Sequence, residues 1–490
     1  MFDRSSGILM PISSLSSKYG IGTFGKGAYN FVDFLHSSGQ KYWQLLPMGP
    51  VSYGDSPYSP FSVYAGNPYY IDLEVLIEEG ILSCEDCDVL NSDDEFIDYE
   101  KQFNHRYEIL YKAFENSNDK YNKEINEFIL NNNWVLDYSL FMTLKYKYNQ
   151  QPWYNWDDEI KNREVKAISN AKLNHNKDVH FWSFLQYMFY KQYFKLKEYA
   201  NSKDIIIIGD IPIYAAEDSA DVWANSDVFM MDEKKLPVFV AGVPPDDFSD
   251  KGQLWGNPVY DWEYLKDTSY AWWINRIKWS FKLYDVVRID HFRGFDEFWA
   301  VPYKSENAIN GKWMKSYGRE LFEFTKQELG NLNIIAEDLG IITDSVIKLK
   351  DDLNFPGMKV LQFAFDGNPN NPYLPQNYEE NSVAYTGTHD NDTLLGWYSK
   401  LNFEENSYVL NSLNIKDKID KCEIINDIVQ IMLQSKAPLV IIPLQDYMCL
   451  DSATRINTPS TLGGNWIWRL KKHMLTKELS NKISSMSEGR

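Results

Sequence analysis

The chain has 490 residues, 44% of them hydrophobic, which is enough for a large core and too many for one small domain. Its formal net charge of -20 opposes phosphate backbones and anionic membrane surfaces, which both need a basic face, so neither nucleic acid nor membrane is expected as a partner. The start, MFDRSSGILMPISSL, lacks an apolar stretch of signal-peptide length, and no window approaches the roughly 20 apolar residues of a membrane span, so a cytoplasmic protein is expected. Four cysteines make no disulfide scaffold, and Cys84 and Cys87 in CEDC have no second pair at zinc-site spacing; surface or core thiols are the expectation. Aromatic residues, at 16%, serve either as sugar-stacking platforms or as core filler.

Eight short segments read as strands in chain order: 7-GILMPI-12, 42-YWQLLPM-48, 205-IIIIGDIP-212, 284-YDVVRID-290, 334-IIAEDLG-340, 358-MKVLQFAF-365, 384-AYTGTHD-390 and 438-PLVIIPLQD-446. Their near-continuous apolar runs suit parallel strands covered on both faces. Helical patterns such as 181–200 and 271–284 lie between them, and strand-helix alternation repeated about eight times predicts an α/β fold, a (β/α)8 TIM barrel. A doubly wound sheet is the alternative, but no GxGxxG follows the first strand. The spacing predicts one catalytic barrel over 1–490 with largely helical insertions at about 54–203 and about 213–283. The second insertion contains 241-AGVPPDDFSDKGQLWG-256, a Pro- and Gly-rich candidate lid.

Active sites of such barrels form at the C-terminal ends of the strands, and four of these strands end in charge. Arg288 and Asp290 are two apart and so share a face. Asp210 ends the third strand, Glu337 the fifth, and His389 and Asp390 the seventh. Any one of these carboxylates alone would read as a helix N-cap, but caps do not explain the accompanying Arg and His. Carboxylates without a phosphate cradle or a thiol suit glycosidic-bond chemistry, where one is the ionised nucleophile and another the protonated acid. Arg288 beside Asp290 favours Asp290 as nucleophile, leaving Glu337 as acid/base and Asp390, with His389, for sugar hydroxyls and the distorted ring. A metal-dependent hydrolase using His291, His389, Asp290, Asp390 and Glu337 is a rival reading. A non-catalytic sugar-binding protein is another.

At these residues the sequence resembles glycoside hydrolase family 77, the 4-α-glucanotransferases of the α-amylase clan. The likeness spans nearly the whole chain, through GILMPISSLSSKYGIGTFG, GDSPYSPFSVYAGNPYYIDL, GDIPIY, AGVPPDDFSDKGQLWGNPVYDW, RIDHFRGF, AEDLG, MKVLQFAF, TGTHDNDT and PLQD. It implies Asp290 as nucleophile, Glu337 as acid/base and Asp390 as third carboxylate, with Arg288 and His389 in support and Asp210 at the donor site. It also implies that Tyr58 and Trp255 line a glucan cleft, that Phe248 belongs to the lid, and that Tyr53 marks a secondary glucan position. The implied reaction transfers α-1,4-glucan segments from maltooligosaccharides, starch or glycogen-derived chains to an acceptor such as glucose, with retained configuration and no organic cofactor or metal. A hydrolase of the same clan is the nearest alternative. Two departures stand out: Asp247 replaces the aromatic of the family's usual PPDYFS lid, and Ser460 stands where Gly is common.

Overall fold

The computed structural model describes residues 2–52, 54–245, 249–416 and 418–490. Tyr53, Asp247 and Phe248 lie outside the described residues. Eight strands close a parallel barrel in the order β1-β12-β11-β10-β9-β6-β3-β2. They are β1 (Ser5–Leu9), β2 (Tyr42–Gln44), β3 (Ile206–Ile211), β6 (Val286–Ile289), β9 (Ile334–Ala336), β10 (Gly357–Val360), β11 (Ser382–Tyr385) and β12 (Leu439–Pro443). Each overlaps one of the eight predicted segments. The predicted segments run further because the apolar residues beyond the last ladder bond enter loops or helical turns, Leu361–Phe363 after β10 and Leu444–Tyr447 after β12.

Strand alternation divides the barrel residues between two cores. Leu9, Tyr42, Ile208, Val286, Ile335, Met358, Val383, Tyr385 and Ile441 pack together in the lumen. Their neighbours Ile8, Trp43, Ile207, Val287, Ile334, Ala384 and Val440 pack outward in the larger cluster that includes the helices. A period of two then carries the inward face upward from Ile208 to Asp210, from Val286 to Arg288 and from Ile335 to Glu337. The lumen is thus apolar below and charged at its mouth.

A second sheet was not foreseen. β5 (Gln253–Pro258), β4 (Phe239–Val243), β7 (Glu297–Pro302) and β8 (Lys312–Lys315) form an antiparallel sheet in that order. Of the stretch 241–256, read from sequence as a lid loop, residues 241–243 and 253–256 belong to two strands of this sheet. Their partner β7 arrives from beyond β6, with Ala241 opposite Ala300, a pairing that no local pattern announces. Between the Val240–Pro258 and Gly242–Leu254 pairs, β5 bulges so that Trp255, Gly256 and Asn257 stand opposite Ala241, with Gly256 at φ +82°.

Helices fill most of the chain between β2 and β3, chiefly Tyr99–Ser117, Asn122–Leu130, Trp134–Lys147, Val165–Asn174 and Asn176–Ser202. Their core is aromatic: Phe114, Phe181, Trp182 and Phe184 pack at ring separations between 5.4 and 5.7 Å. Much of the aromatic content is therefore filler. Among the described residues no helix is long and apolar enough to cross a membrane. Cys422 and Cys449 are joined in a disulfide, which corrects the expectation of unpaired thiols there; Cys84 and Cys87 are free.

Candidate active site

The charged residues converge on a cleft of about 1070 Å³ at the barrel mouth, lined by Tyr58, Trp255, Arg288, Asp290, Glu337, His389 and Asp390 among others. Its floor is set by β3 and β6, paired so that Asp210 lies beside Arg288. One terminal nitrogen of Arg288, Nη1, donates to both oxygens of Asp210 at 2.7 Å and to Asp290 Oδ1 at 3.1 Å. Arg288 and Asp210 are almost wholly buried, and such charges are tolerated because they are paired. Burial alone would lower the Arg288 pKa, but the charges of Asp210 and Asp290 more than offset it and hold the guanidinium well above its ordinary value.

Tyr58 extends this network. Its hydroxyl donates to Asp210 Oδ2 at 2.8 Å, and its ring stacks on His389 at 4.9 Å. Trp466, not singled out from the sequence, tilts against both rings. The turn after β3 is held from behind by Arg276 of the helix Ala271–Leu283, whose guanidinium donates to the carbonyls of Pro212 and Ile213.

Glu337 behaves differently from Asp290. His291 N–H donates to Glu337 Oε2 at 2.6 Å and Leu339 N–H to Oε1 at 2.9 Å, so the carboxyl is fixed by backbone. His291 presents that N–H from the left-handed region, at φ +51°. Burial first, and then the neighbouring charge of Asp290, push Glu337 up to about 8 against the opposing pull of Arg288 and the two amides. A buried carboxyl at this value keeps its proton at neutral pH and can give it up to a leaving oxygen. His291 is pushed down to about 4 by burial, and its neutral ring meets Trp255 edge to face at 4.7 Å. The β5 bulge aims Trp255 at this point.

The structure therefore brings Asp210, Tyr58, Trp255, Arg288, Asp290, Glu337, His389 and Asp390 to one network or cleft. Sequence reading missed His291 as an orienting amide, and it missed Trp466, Arg455 and Asn457, although 455-RINTPS-460 is a conspicuous loop motif. Ser460 sits at φ +63°, a conformation that favours glycine. Among the described residues no group of three or more His, Cys, Asp or Glu is placed to hold a metal ion.

A closed parallel barrel with buried, ion-paired carboxylates at its mouth defines the class: a TIM-barrel enzyme. The family pattern described as 4-alpha-glucanotransferase, glycoside hydrolase family 77, matches residues 10–476. A 4-alpha-glucanotransferase of Clostridium butyricum is 50% identical over 485 residues, covering 97% of this chain and 98% of that protein. One from Thermus thermophilus is 41% identical over 495 residues, covering 99% and 98%. An amylomaltase from Streptococcus agalactiae, solved in complex with acarbose, superposes with a TM-score of 0.96 at 40% identity over 99% of both chains. The chain belongs to glycoside hydrolase family 77, the 4-alpha-glucanotransferases.

Proposed function

We propose that this chain moves a segment of an α-1,4-glucan onto the 4-hydroxyl of an acceptor glucose or maltooligosaccharide by double displacement, with Asp290 as nucleophile and Glu337 as acid/base. The observation that carries this reading is the contrast between two neighbouring carboxyls. Asp290 accepts from the buried Arg288 guanidinium, while Glu337 is driven up to about 8 by burial and by the Asp290 charge.

In the first step an Asp290 oxygen bonds to the anomeric carbon as the glycosidic C–O bond breaks, and the Glu337 proton passes to the departing oxygen. In the second step the acceptor 4-hydroxyl attacks the same carbon, returns its proton to Glu337 and releases Asp290, so configuration is retained. Asp390 and His389 hold the sugar ring, and Asp210, through Arg288 and Tyr58, fixes the donor side of the site. Trp255 offers a ring to the acceptor, and the stretch 241–256 that carries it is the lid that disfavours water. The location expected is the cytoplasm, in keeping with the finding that among the described residues no helix is long and apolar enough to cross a membrane.

Purified protein incubated with maltotriose tests the reading beside Asp290→Asn. Longer maltooligosaccharides plus glucose from the unaltered protein, absent from the variant, are expected. Only shorter sugars would make it a hydrolase, and an active variant would remove Asp290 as nucleophile.

A further inference from the structure

Asp390 is not aimed by its own strand. The alternation that turns Val383 and Tyr385 into the lumen stops with the strand, so it fixes no direction for Asp390. β11 ends at Tyr385, and the loop after it must be turned before the Asp390 carboxylate reaches the cleft. Part of that turn is local: Asn391 Oδ1 accepts the Thr388 N–H at 2.9 Å, and Asp390 N–H donates to Thr388 Oγ1 at 3.2 Å.

The rest comes from the loop that follows β12. Asn457 Nδ2 donates to Asp390 Oδ1 at 2.6 Å, and Arg455 Nη2 donates to the Asp390 carbonyl at 2.6 Å. Arg455 Nε donates to the Asn457 carbonyl at 2.6 Å, and Asn457 N–H to the His389 carbonyl at 3.1 Å. Gln445 Nε2, from the helical turn Leu444–Tyr447, holds the base of the loop through the Thr454 carbonyl at 3.1 Å. These bonds grip main chain and side chain of one residue pair at once. The donor placed on the carboxylate is a neutral amide, while the guanidinium is spent on the backbone carbonyl. A neutral donor fixes the oxygen without forming an ion pair, so the negative charge stays available to an oxocarbenium-like centre.

We infer that Asn457 and Arg455 are positioning residues that orient Asp390 for the transfer reaction, an inference that rests on reading Asp390 as the third carboxylate. Around Asp390 stand His389, with Nε2 3.3 Å from Oδ1, Arg455, and Tyr58 stacked on His389; Arg288, Asp290 and Glu337 line the same cleft.

The test measures maltotriose disproportionation and Tm for Asn457→Ala, Asn457→Asp, Arg455→Lys, Asp390→Asn and the Asn457→Ala/Asp390→Asn pair. Misplacing a reacting group by an ångström costs up to about 10²-fold, so Asn457→Ala is expected to lower kcat roughly 10- to 100-fold with little change in KM. Arg455→Lys is expected to fall in the same way but less. The paired variant is expected to be no worse than Asp390→Asn alone. Asn457→Asp keeps the volume and regains a donor only when one of the two facing carboxyls is protonated, so its pH profile should move to the acid side of the unaltered protein's. A rise in KM at constant kcat, full multiplication of the two single losses, or an unmoved pH profile would each overturn the inference. Full turnover by Asp390→Asn would instead remove the reading beneath it.

Discussion

Glu337 shows how a single environment sets a role. Its carboxyl is buried beside Asp290, and both influences favour the protonated form. The proton that an acid role for Glu337 requires is present below about 8 and lost above it. Because kcat/KM reports the free enzyme, a profile on maltotriose from about pH 5 to about pH 10 should descend on its alkaline side through this value, tenfold per unit once well beyond it. A descent several units lower would show that Glu337 is not the acid. The same titration acts on folding, since a carboxyl raised in the native state contributes stability that is complete below its unfolded value and disappears as pH rises through about 8. His291 was visible in RIDHFRGF only as a side chain. Its contribution is a backbone N–H turned by a left-handed φ, which residue identity does not encode.

At the scale of the element, β3 shows why its sequence reads IIIIGDIP. Asp210 and Ile208 face the lumen, so Gly209 faces outward, against the ring of Tyr284. A Cβ built on Gly209 would lie 2.1 Å from that buried ring. Gly209→Ala should therefore cost about 1–3 kcal/mol of overpacking, read as a lower denaturant midpoint at unchanged slope. An unchanged midpoint would mean that Tyr284 moves aside freely. The barrel strands were legible because each buries both faces and so carries a continuous apolar run. β4, β5, β7 and β8 were not, because β5 and β8 are largely exposed and so carry no continuous apolar run, and β4 pairs with β7 across the intervening β6. The β5 bulge that directs Trp255 at His291 was equally invisible, since it is a property of register.

At the scale of the molecule, the helix Lys421–Gln434 and the turn after β12 meet through Cys422 and Cys449, which are 27 residues apart. Thiol titration of unfolded protein without reductant should therefore count two of the four cysteines, Cys84 and Cys87, and all four after reduction. Four without reductant would show the bridge to be open. A loop of this length predicts a loss on the order of 3 kcal/mol when the bridge is removed. Tyr447, two residues before Cys449, is buried and its carbonyl accepts from Lys482 of the helix Lys477–Met486 at 2.8 Å, so bridge and helix together hold the segment that leads to Arg455 and Asn457.

The sequence by itself determined the barrel strands, through apolar runs that only a doubly covered parallel sheet accommodates, and it determined which strand ends carry charge. Periodicity alone places Asp210, Arg288, Asp290 and Glu337 on the inward face, because a strand repeats every two residues regardless of its neighbours. Tertiary structure decided the rest. The grip of Asn457 on Asp390, the Cys422–Cys449 bridge and the pairing of β4 with β7 each join segments that the sequence keeps apart. The rise of Glu337 to about 8 depends on how much water its neighbours exclude, a quantity that exists only once the chain is folded.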